Sequence, residues 1–241
     1  MHKNDDHSLI NSGVTEMKRA LAIIALLALA APAQATIYND SAGDIFTGAG
    51  GGILDILSVE VTNDATDISF KFTLAGDVDV TDWGKYMVII DSAPGGDSVG
   101  NGWGRPISMP SGADSWLGGW ADSGNGMEVY RYNAGWPFPP NEATWNGSTT
   151  IAATKSGFTF TMTTALANLN LGIGDSFTFD AFTSGGGGGD GAIDSLGNPN
   201  QQVGDWGEHS NANPVSYTVV PEPATIGLIA LAGLALIRRR R

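Results

Sequence analysis

An acidic group near residue 40 is the first stretch whose side chains could do chemistry. Asp40 and Asp44 stand in a short turn-rich segment, and Asp55 follows before the first clear strand pattern. Carboxylate oxygens, together with loop carbonyls, suit Ca²⁺, which takes about six to eight oxygen ligands. The same residue types also occur in polar turns, where Asp and Gly satisfy the turn geometry. We therefore expect either a calcium site at Asp40, Asp44 and Asp55 or an ordinary turn surface.

A second acidic group lies in a glycine-rich segment further along the chain. Asp190, Asp194 and Asp205 follow a run of glycines at residues 185–189. The run by itself is typical of a flexible segment, and the three aspartates offer an alternative place for Ca²⁺. Neither acidic group has the spacing of an EF-hand loop, so a calcium site in this chain would be of another kind.

The seven tryptophans of the chain point to a second kind of chemistry, the recognition of sugars. In a strand over residues 115–120, Trp116, Gly118 and Trp120 project to one face, and Gly118 leaves space between two flat indoles. Indole rings stack on the C–H faces of sugars, while neighbouring Asp and Arg side chains bind the hydroxyl groups. The residues expected to contact a polysaccharide are Trp103, Arg105, Trp116, Trp120 and Trp136. The alternative is that several of these indoles fill the core, where aromatic residues dominate the packing.

Groups typical of catalysis are few. His209 is the only histidine after residue 7. A Gly-x-Ser-x-Gly sequence occurs at residues 96–100, but it lies in a glycine-rich connection without the strand-to-helix turn of a nucleophile elbow. A pair of carboxylates could cleave glycosidic bonds, but the spacing of the glutamates selects no pair. The candidates are Glu60, Glu128, Glu142 and Glu208. The sequence therefore predicts a protein without enzymatic activity.

The elements that position these residues are predicted to be β-strands. Apolar and polar residues alternate at Leu57, Val59 and Val61 and again over residues 68–74, which is typical of a hairpin with one buried face. Residues 86–90 are apolar on both faces and indicate a central strand. Further strands are expected over residues 115–120, 127–132, 149–154, 157–163, 176–183 and 215–219, with one short helical turn within residues 164–171. Many short strands with Gly, Asn and Asp turns predict an all-β fold, a single antiparallel β-sandwich that is jelly-roll-like.

Two long connections interrupt the strand pattern, at residues 91–114 and 184–213. The first carries Trp103 and Arg105, and the second carries the glycine run and its acidic group. Loops of this length in a compact domain are usually functional or mobile.

The C-terminal segment, residues 220–241, has three parts in a fixed order. A Pro-Glu-Pro triplet comes first, an uncharged apolar run follows over residues 224–237, and four arginines end the segment. The prolines keep the backbone extended, the apolar run can enter a bilayer as a helix, and the arginines stay on the cytoplasmic side. A core helix rarely ends in four like charges, so the pattern favours a stop-transfer or sorting signal. Its defining residues are Val220, Pro221, Glu222, Pro223, Arg238, Arg239, Arg240 and Arg241.

This segment resembles the PEP-CTERM sorting signal of Gram-negative bacteria that produce exopolysaccharide. The resemblance implies recognition by an exosortase, cleavage near the Pro-Glu-Pro triplet, and delivery to the cell surface or the extracellular matrix. In other tail signals of this kind the apolar segment is removed, and the mature protein keeps no membrane helix. The inner membrane would therefore be a transient partner.

The N-terminal segment agrees with export by the secretion machinery. Lys18 and Arg19 form a basic region, residues 20–31 form an apolar one, and Ala33 and Ala35 complete an Ala-x-Ala cleavage site. This order predicts a secretory signal peptide that is cleaved after Ala35. Three regions are expected: an N-terminal extension with the signal peptide at residues 1–35, a β-sandwich domain at 36–219, and the sorting signal with a short transmembrane helix at 220–241.

Composition narrows the partners of the middle domain. Residues 36–221 hold five basic and 21 acidic residues, so their net charge is near −16. Such acidity argues against nucleic acid or anionic lipid as a partner and suits cations. The chain has no cysteine, which excludes disulfides and thiolate metal sites.

The middle domain also resembles a class of carbohydrate-binding β-sandwich. The turn at residues 40–44, the segment 52–61, the hairpin after it and residues 83–86 are similar to the opening of DOMON-like or glucodextranase C-terminal-like sandwiches. This resemblance implies calcium near the first loop and sugar binding through tryptophans.

Three functions follow from these patterns. The first is an exported, non-enzymatic protein of the cell surface or extracellular matrix that binds polysaccharide. The second is a structural matrix or filament subunit without a specific sugar site, and the third is a secreted enzyme that cleaves glycans. The sorting signal and the scarcity of catalytic groups favour the first two.

Overall fold

Two antiparallel sheets packed together form the fold, as the alternating apolar residues predict. The computed structural model describes residues 35–137, 142–143, 150–198 and 203–221, and the sandwich unit runs from Ala35 to Val220. The predicted all-β sandwich is confirmed. The predicted signal peptide and the helix of the sorting signal lie outside the described residues.

A five-stranded sheet forms one layer of the sandwich. Its order across the sheet is β1 (Ala35–Asn39), β2 (Ile56–Asn63), β3 (Asp67–Leu74), β10 (Thr159–Ala165) and β9 (Ile151–Ser156). A 3₁₀ helix at Ala49–Gly52 precedes β2, and another at Leu166–Leu169 follows β10. The second helix lies within the segment for which a short helical turn is predicted.

A seven-stranded sheet forms the other layer. Its order is β12 (Asp194–Ser195), β11 (Ser176–Ser184), β4 (Lys85–Asp91), β6 (Ser115–Trp120), β7 (Gly126–Arg131) and β8 (Glu142–Ala143), while β14 (Val215–Thr218) pairs with β11 beside β12. Two short strands, β5 (Ile107–Ser108) and β13 (Ser210–Asn211), form a separate parallel pair. The chain thus crosses between the sheets after β3, β8 and β10.

The core between the sheets is built from the alternating residues of the predicted strands. In β3, Ile68, Phe70, Phe72 and Leu74 are buried and their neighbours are half-exposed. In β2 the predicted alternation of buried and exposed side chains is interrupted at one point, because the pairing of β2 with β3 shifts register between Ile56 and Ser58. Ile56 is buried there, and Leu57 is half-exposed. The interior of the sandwich is otherwise occupied as the two-residue period predicts.

A second core covers the outer face of the seven-stranded sheet. Met87, Ile89, Trp116, Tyr130 and Phe182 project from the sheet and are buried. They are covered by residues of the two long connections, namely Ile107, Met109, Ala113, Ala192 and Ala212. This explains why residues 86–90 are apolar on both faces. The long loops are therefore a third layer of packing, and not merely mobile connections.

The strand registers define two ends of the domain. At one end, called here the exit end, Ala35 pairs with Thr62 and Ser176 pairs with Thr218. At the opposite end, called the site end, Ser184 pairs with Lys85, which in turn pairs with Trp120. Both candidate sites described below lie at the site end. Within the described part of the chain, no helix is long and apolar enough to cross a membrane.

Candidate metal centre and aromatic cleft

Three aspartates from different parts of the chain meet at the site end. Asp40 follows β1, Asp44 lies in the connection from β1 to β2, and Asp194 begins β12. Each offers a carboxylate oxygen, and these oxygens lie within 4.8 Å of one another. We call these three residues the acidic cluster. Because Asp40 and Asp44 belong to the five-stranded side and Asp194 to the seven-stranded sheet, the acidic cluster bridges the two layers.

The hydrogen bonds of the acidic cluster are incomplete. Asp194 Oδ2 accepts from the Ile56 amide at 2.6 Å, and Asp40 Oδ1 accepts from the Ser41 amide at 2.8 Å. Among the described residues, Asp40 Oδ2 and both oxygens of Asp44 are buried without a hydrogen-bond donor. Buried acceptors without a partner are costly. Three such oxygens beside a third carboxylate are the donor set that a hard cation such as Ca²⁺ would satisfy, so the residues fit the predicted ion.

The electrostatics of the acidic cluster agree with that fit. Burial, with repulsion from neighbouring carboxylates as a smaller cause, raises the pKa of Asp40 to about 7 and that of Asp194 to about 8. Burial also raises the pKa of Asp44, and Asp55 adds repulsion. Without a cation the cluster therefore retains protons near neutral pH, and a bound cation would displace them.

The structure groups the aspartates differently from the sequence prediction. Asp55 is not part of the acidic cluster, because both of its oxygens accept from the Gly43 amide, at 3.1 and 2.9 Å. It shapes the loop that carries Asp44. Asp190 and Asp205 accept from the amides of Gly187 and Gly207 in local turns. Each of the two predicted groups of aspartates is thus divided. Asp40 and Asp44 from the first group lie together with Asp194 from the second.

One buried carboxylate next to this region was not predicted. Asp180 in β11 is fully buried and accepts from the amides of Ala181, Gly197 and Asn213 and from the Ser195 hydroxyl. Burial raises its pKa to about 6 despite these donors. Its role is structural, since the bonds tie the second long connection to the sheet.

In the presence of a chelator we expect the free energy of unfolding to fall as the pH rises from about 5 to 8. The carboxyls of Asp40, Asp180 and Asp194 have raised pKa values in the folded domain, whereas in the unfolded chain they titrate near pH 4. Between pH 4 and these raised pKa values the folded state binds more protons than the unfolded state. The free energy of unfolding therefore falls as the pH rises. Thermal melting at pH 5, 6, 7 and 8 measures the slope.

The matched variant for this pH series is Asp40→Asn. It removes one of the titrating groups, so the decline between pH 6 and 8 should become shallower. A melting temperature that does not change over this range, or one that rises, would contradict the raised pKa values of the acidic cluster.

An aromatic cleft of about 400 Å³ opens at the site end, on the outer side of the seven-stranded sheet. It is formed where β4, β6 and β7 meet the two long connections. Its lining residues are Lys85, Trp103, Arg105, Trp120, Asp122, Ser123, Glu128 and Gly188. Three of the five residues predicted to contact a polysaccharide, Trp103, Arg105 and Trp120, are therefore brought together here.

Trp103 is the wall of the aromatic cleft, and its position depends on Gly118. A Cβ atom on Gly118 would lie 2.3 Å from Cζ2 of the Trp103 ring, so only glycine leaves room for the indole. The Trp103 Nε1–H donates to Glu128 Oε2 at 2.5 Å. The Arg105 guanidinium lies 5.3 Å from the ring centroid, a cation–π distance. The indole is thus held on its edge and on one face.

Arg105 supports this arrangement from below. It is only 7% exposed, and its Nη1 donates to the Ser184 hydroxyl and to the Asp190 carbonyl, each at 2.7 Å. Burial lowers its pKa, and Asp190 opposes that effect. Arg105 therefore joins the two long connections beside the Trp103 ring.

The polar groups of the aromatic cleft are balanced in charge. Lys85 Nζ lies 3.1 Å from Asp122 Oδ2 and donates to the Trp83 carbonyl at 3.0 Å. Glu128 Oε2 accepts from the Tyr130 hydroxyl at 2.9 Å as well as from Trp103. Two cationic and two anionic side chains thus line one cleft. Asp122 is one of the polar residues near Trp120 that the sequence offers for hydrogen bonds to a sugar, whereas Lys85 was not predicted, because its proximity to Asp122 depends on the β4–β6 register.

The predictions for Trp116 and Trp136 need correction. Trp116 is 0% exposed and packs in the second core, so its ring cannot contact a ligand. Trp136 packs on Tyr132 at a centroid distance of 5.5 Å and donates to Asp97 Oδ2 at 2.9 Å, outside the aromatic cleft. The space expected above Gly118 is filled by Trp103. On this face of β6, Trp116 is therefore fully covered, whereas Trp120 stays half-exposed.

His209 does not form a nucleophile–base pair. Its Nε2 lies 3.1 Å from the Ser108 hydroxyl, but that hydroxyl donates to Asn211 Oδ1 at 2.9 Å. A hydroxyl has one proton to give, so Ser108 accepts from His209 and cannot pass its proton to the imidazole. Ser108 is also only 4% exposed. The contact links β5 to β13.

Comparison with known proteins defines the class by its C-terminal segment. The described part of the chain is an all-β sandwich with an acidic cluster and an aromatic cleft at one end. Residues 219–241 match the family model of the PEP-CTERM protein-sorting motif. The protein is therefore an exported, membrane-transiting substrate of an exosortase. No curated protein matches the chain. The motif overlaps the sandwich only at Val219 and Val220, so the resemblance of the sandwich to DOMON-like domains stays a prediction.

Proposed function

We propose that this exported protein is a non-enzymatic component of the cell surface or extracellular matrix that binds polysaccharide in the aromatic cleft. The observation that supports the proposal is the pairing of two half-exposed indoles, Trp103 and Trp120, with charged groups in one concave site. Ligand sites of this type are concave and place a few polar groups among aromatic ones. An indole offers a flat apolar face for a sugar ring, and Lys85, Asp122 and Glu128 offer hydrogen bonds to its hydroxyls.

The charge distribution favours a neutral glycan as the ligand. Residues 36–221 carry a net charge near −16, so the domain as a whole repels polyanions. In the aromatic cleft, however, Lys85 and Arg105 balance Asp122 and Glu128. A neutral polysaccharide would avoid the long-range repulsion and still meet donors and acceptors in the cleft.

We propose Ca²⁺ as the ion of the acidic cluster, with a structural role. Asp40, Asp44 and Asp194 would hold it, and Asp55 would position the loop that bears Asp44. When bound, the ion supplies positive charge to three buried carboxylate oxygens that have no hydrogen-bond donor among the described residues. The ion would thereby link the two sheets at the site end.

The decisive experiment measures glycan retention by residues 36–220 and by the variant Trp120→Ala. Truncating an aromatic anchor at a binding surface costs about 2 kcal/mol, so the variant should bind a neutral polysaccharide about thirtyfold more weakly. Affinity electrophoresis over a glycan panel provides the measurement. The matched control is Phe158→Ala, which removes an aromatic side chain that is 54% exposed in the β9–β10 turn, away from the cleft.

Other outcomes of this experiment select the alternatives. Retention that Trp120→Ala leaves unchanged would contradict binding in the aromatic cleft and favour a structural matrix subunit. Release of reducing ends from the polysaccharide would favour an enzyme, for which Asp122 and Glu128 are the two carboxylates in the cleft. In the described structure Asp122 is paired with Lys85, and Glu128 is engaged by Trp103 and Tyr130, which supports binding over cleavage.

A further inference from the structure

Asn63 ties the end of the domain to the start of the sorting motif. The Val220 amide donates to Asn63 Oδ1 at 3.1 Å, and Asn63 Nδ2 donates to the Val220 carbonyl at 2.9 Å. The same side chain accepts from the Tyr217 hydroxyl at 2.8 Å and donates to the Asp64 carbonyl at 2.8 Å. Both lone-pair sites and both amide protons are thus used. We call this arrangement the Asn63 clasp.

The clasp is buried and specific to one position. Asn63 is the last residue of β2 and only 4% exposed. Its side chain binds the amide and the carbonyl of one residue, which is how a neighbouring β-strand would bind it. The clasp joins residues that are 157 positions apart in the sequence, so no local pattern predicts it.

The clasp leaves no spacer between the folded domain and the Pro-Glu-Pro triplet. Val219 is 0% exposed, its amide donates to the Asp175 carbonyl, and its own carbonyl accepts from the Gly174 amide. Val220 is held by Asn63, and the next residue is Pro221, which is exposed. The matched motif begins at Val219. The first two residues of the sorting motif are therefore integral to the fold.

We propose that the Asn63 clasp controls how often the exosortase can reach the chain next to the Pro-Glu-Pro triplet. This inference rests on the sorting function and not on glycan binding. A processing enzyme must take its substrate backbone into an active site, but the Val219 and Val220 backbone is engaged in the fold. Cleavage of a segment of this kind follows the population of locally open molecules when opening is fast. Asn63 takes no part in bond cleavage and acts only on that population.

The test follows processing of the full-length precursor in the producing bacterium by pulse–chase labelling. The variant Asn63→Ala removes two hydrogen bonds to Val220, so the open population and the rate of conversion to the mature form should rise about fivefold or more. A second variant inserts Gly-Ser-Gly-Ser between Val220 and Pro221. It keeps the clasp intact and supplies a flexible spacer, so it should accelerate processing similarly.

The matched control is Asn168→Ala, which also removes an asparagine that donates two side-chain hydrogen bonds, to Thr150 and Thr164, far from Val220 in the sequence. Its processing rate should equal that of the unchanged protein. Unchanged rates in both the Asn63→Ala and the spacer precursors would overturn the proposal. So would acceleration by Asn63→Ala alone, because general unfolding would then explain it. A precursor that no variant converts would instead question processing by an exosortase.

Discussion

Adding Ca²⁺ to the chelator-treated domain is expected to raise its melting temperature by about 5–10 °C. An ion at about 100 times its dissociation constant stabilises the folded state by about 2.7 kcal/mol. Each kcal/mol corresponds to about 2–4 °C for a domain of roughly 150–250 residues. The shift should be large here because the ion would satisfy three buried carboxylate oxygens that have no other partner among the described residues. Differential scanning calorimetry of residues 36–220 at pH 7 provides the measurement.

The variant Asp44→Asn should change the melting temperature in opposite directions in the two conditions. In chelator it removes a buried charge that repels its neighbouring carboxylates, so the melting temperature should rise by a few degrees. In Ca²⁺ it removes a ligand, so most of the calcium shift should disappear. Asp205→Asn is the matched control, because Asp205 accepts from the Gly207 amide in an exposed turn and is not part of the acidic cluster.

A domain that melts at the same temperature in chelator and in excess Ca²⁺ would contradict the metal site. So would a calcium shift that survives in Asp44→Asn. In either case the raised pKa values would describe a cluster that is stabilised by protons alone.

Substituting Gly118 is expected to abolish the aromatic cleft while the sandwich survives. In Gly118→Ala the new methyl group would lie 2.3 Å from the Trp103 ring, so the indole must leave its place. Moving it breaks the bond to Glu128 and the stacking on Arg105. Overpacking of this kind typically costs about 1–3 kcal/mol. We expect glycan affinity to fall about tenfold or more, as it does when an aromatic anchor is lost.

Two measurements separate displacement of Trp103 from general unfolding. Isothermal titration gives the affinity, and the near-ultraviolet circular dichroism reports the tryptophan environment, while the far-ultraviolet signal should remain that of β-sheet. Gly48→Ala is the matched control, since Gly48 has φ of −82° and no atom within 4 Å of an added Cβ. If Gly118→Ala kept both the affinity and the near-ultraviolet signal, Trp103 would not be the wall of the site.

The strands were predictable because their determinants are local. Phe70 and Phe72 repeat at the two-residue period of a half-buried strand, and residues 86–90 are apolar on both faces. The bulge in β2 was not predictable, because a one-residue register shift leaves no mark in residue types. The sheet order was also beyond the sequence pattern, since pairs such as β3 with β10 join distant segments.

The candidate sites were predictable only in part, because each is assembled by the tertiary path of a loop. Asp40 and Asp44 are neighbours in sequence, but Asp194 reaches them only through the return of β12 to the sheet edge. Trp116 and Trp120 share a face in the same strand, as predicted, yet the first long connection buries one and leaves the other half-exposed. The two-residue period of a strand predicts on which face of the sheet a side chain lies, but it does not predict which segment covers that face.

The opposite placement of the exit end and the site end also has a mechanical consequence. A polymer held in the aromatic cleft and an attachment beyond Val220 would pull on the domain along its strands. The tension would pass from β11 to β14 through four residue pairs, from Ser176 with Thr218 to Phe179 with Val215. Hydrogen bonds in an antiparallel ladder are perpendicular to the strands, so these bonds would be loaded together in shear and not opened one by one. The Asn63 clasp and the bond from the Tyr38 hydroxyl to the Ser216 carbonyl would share this load with the five-stranded sheet. The domain would therefore resist a pull along its strands better than a hairpin that opens one bond at a time.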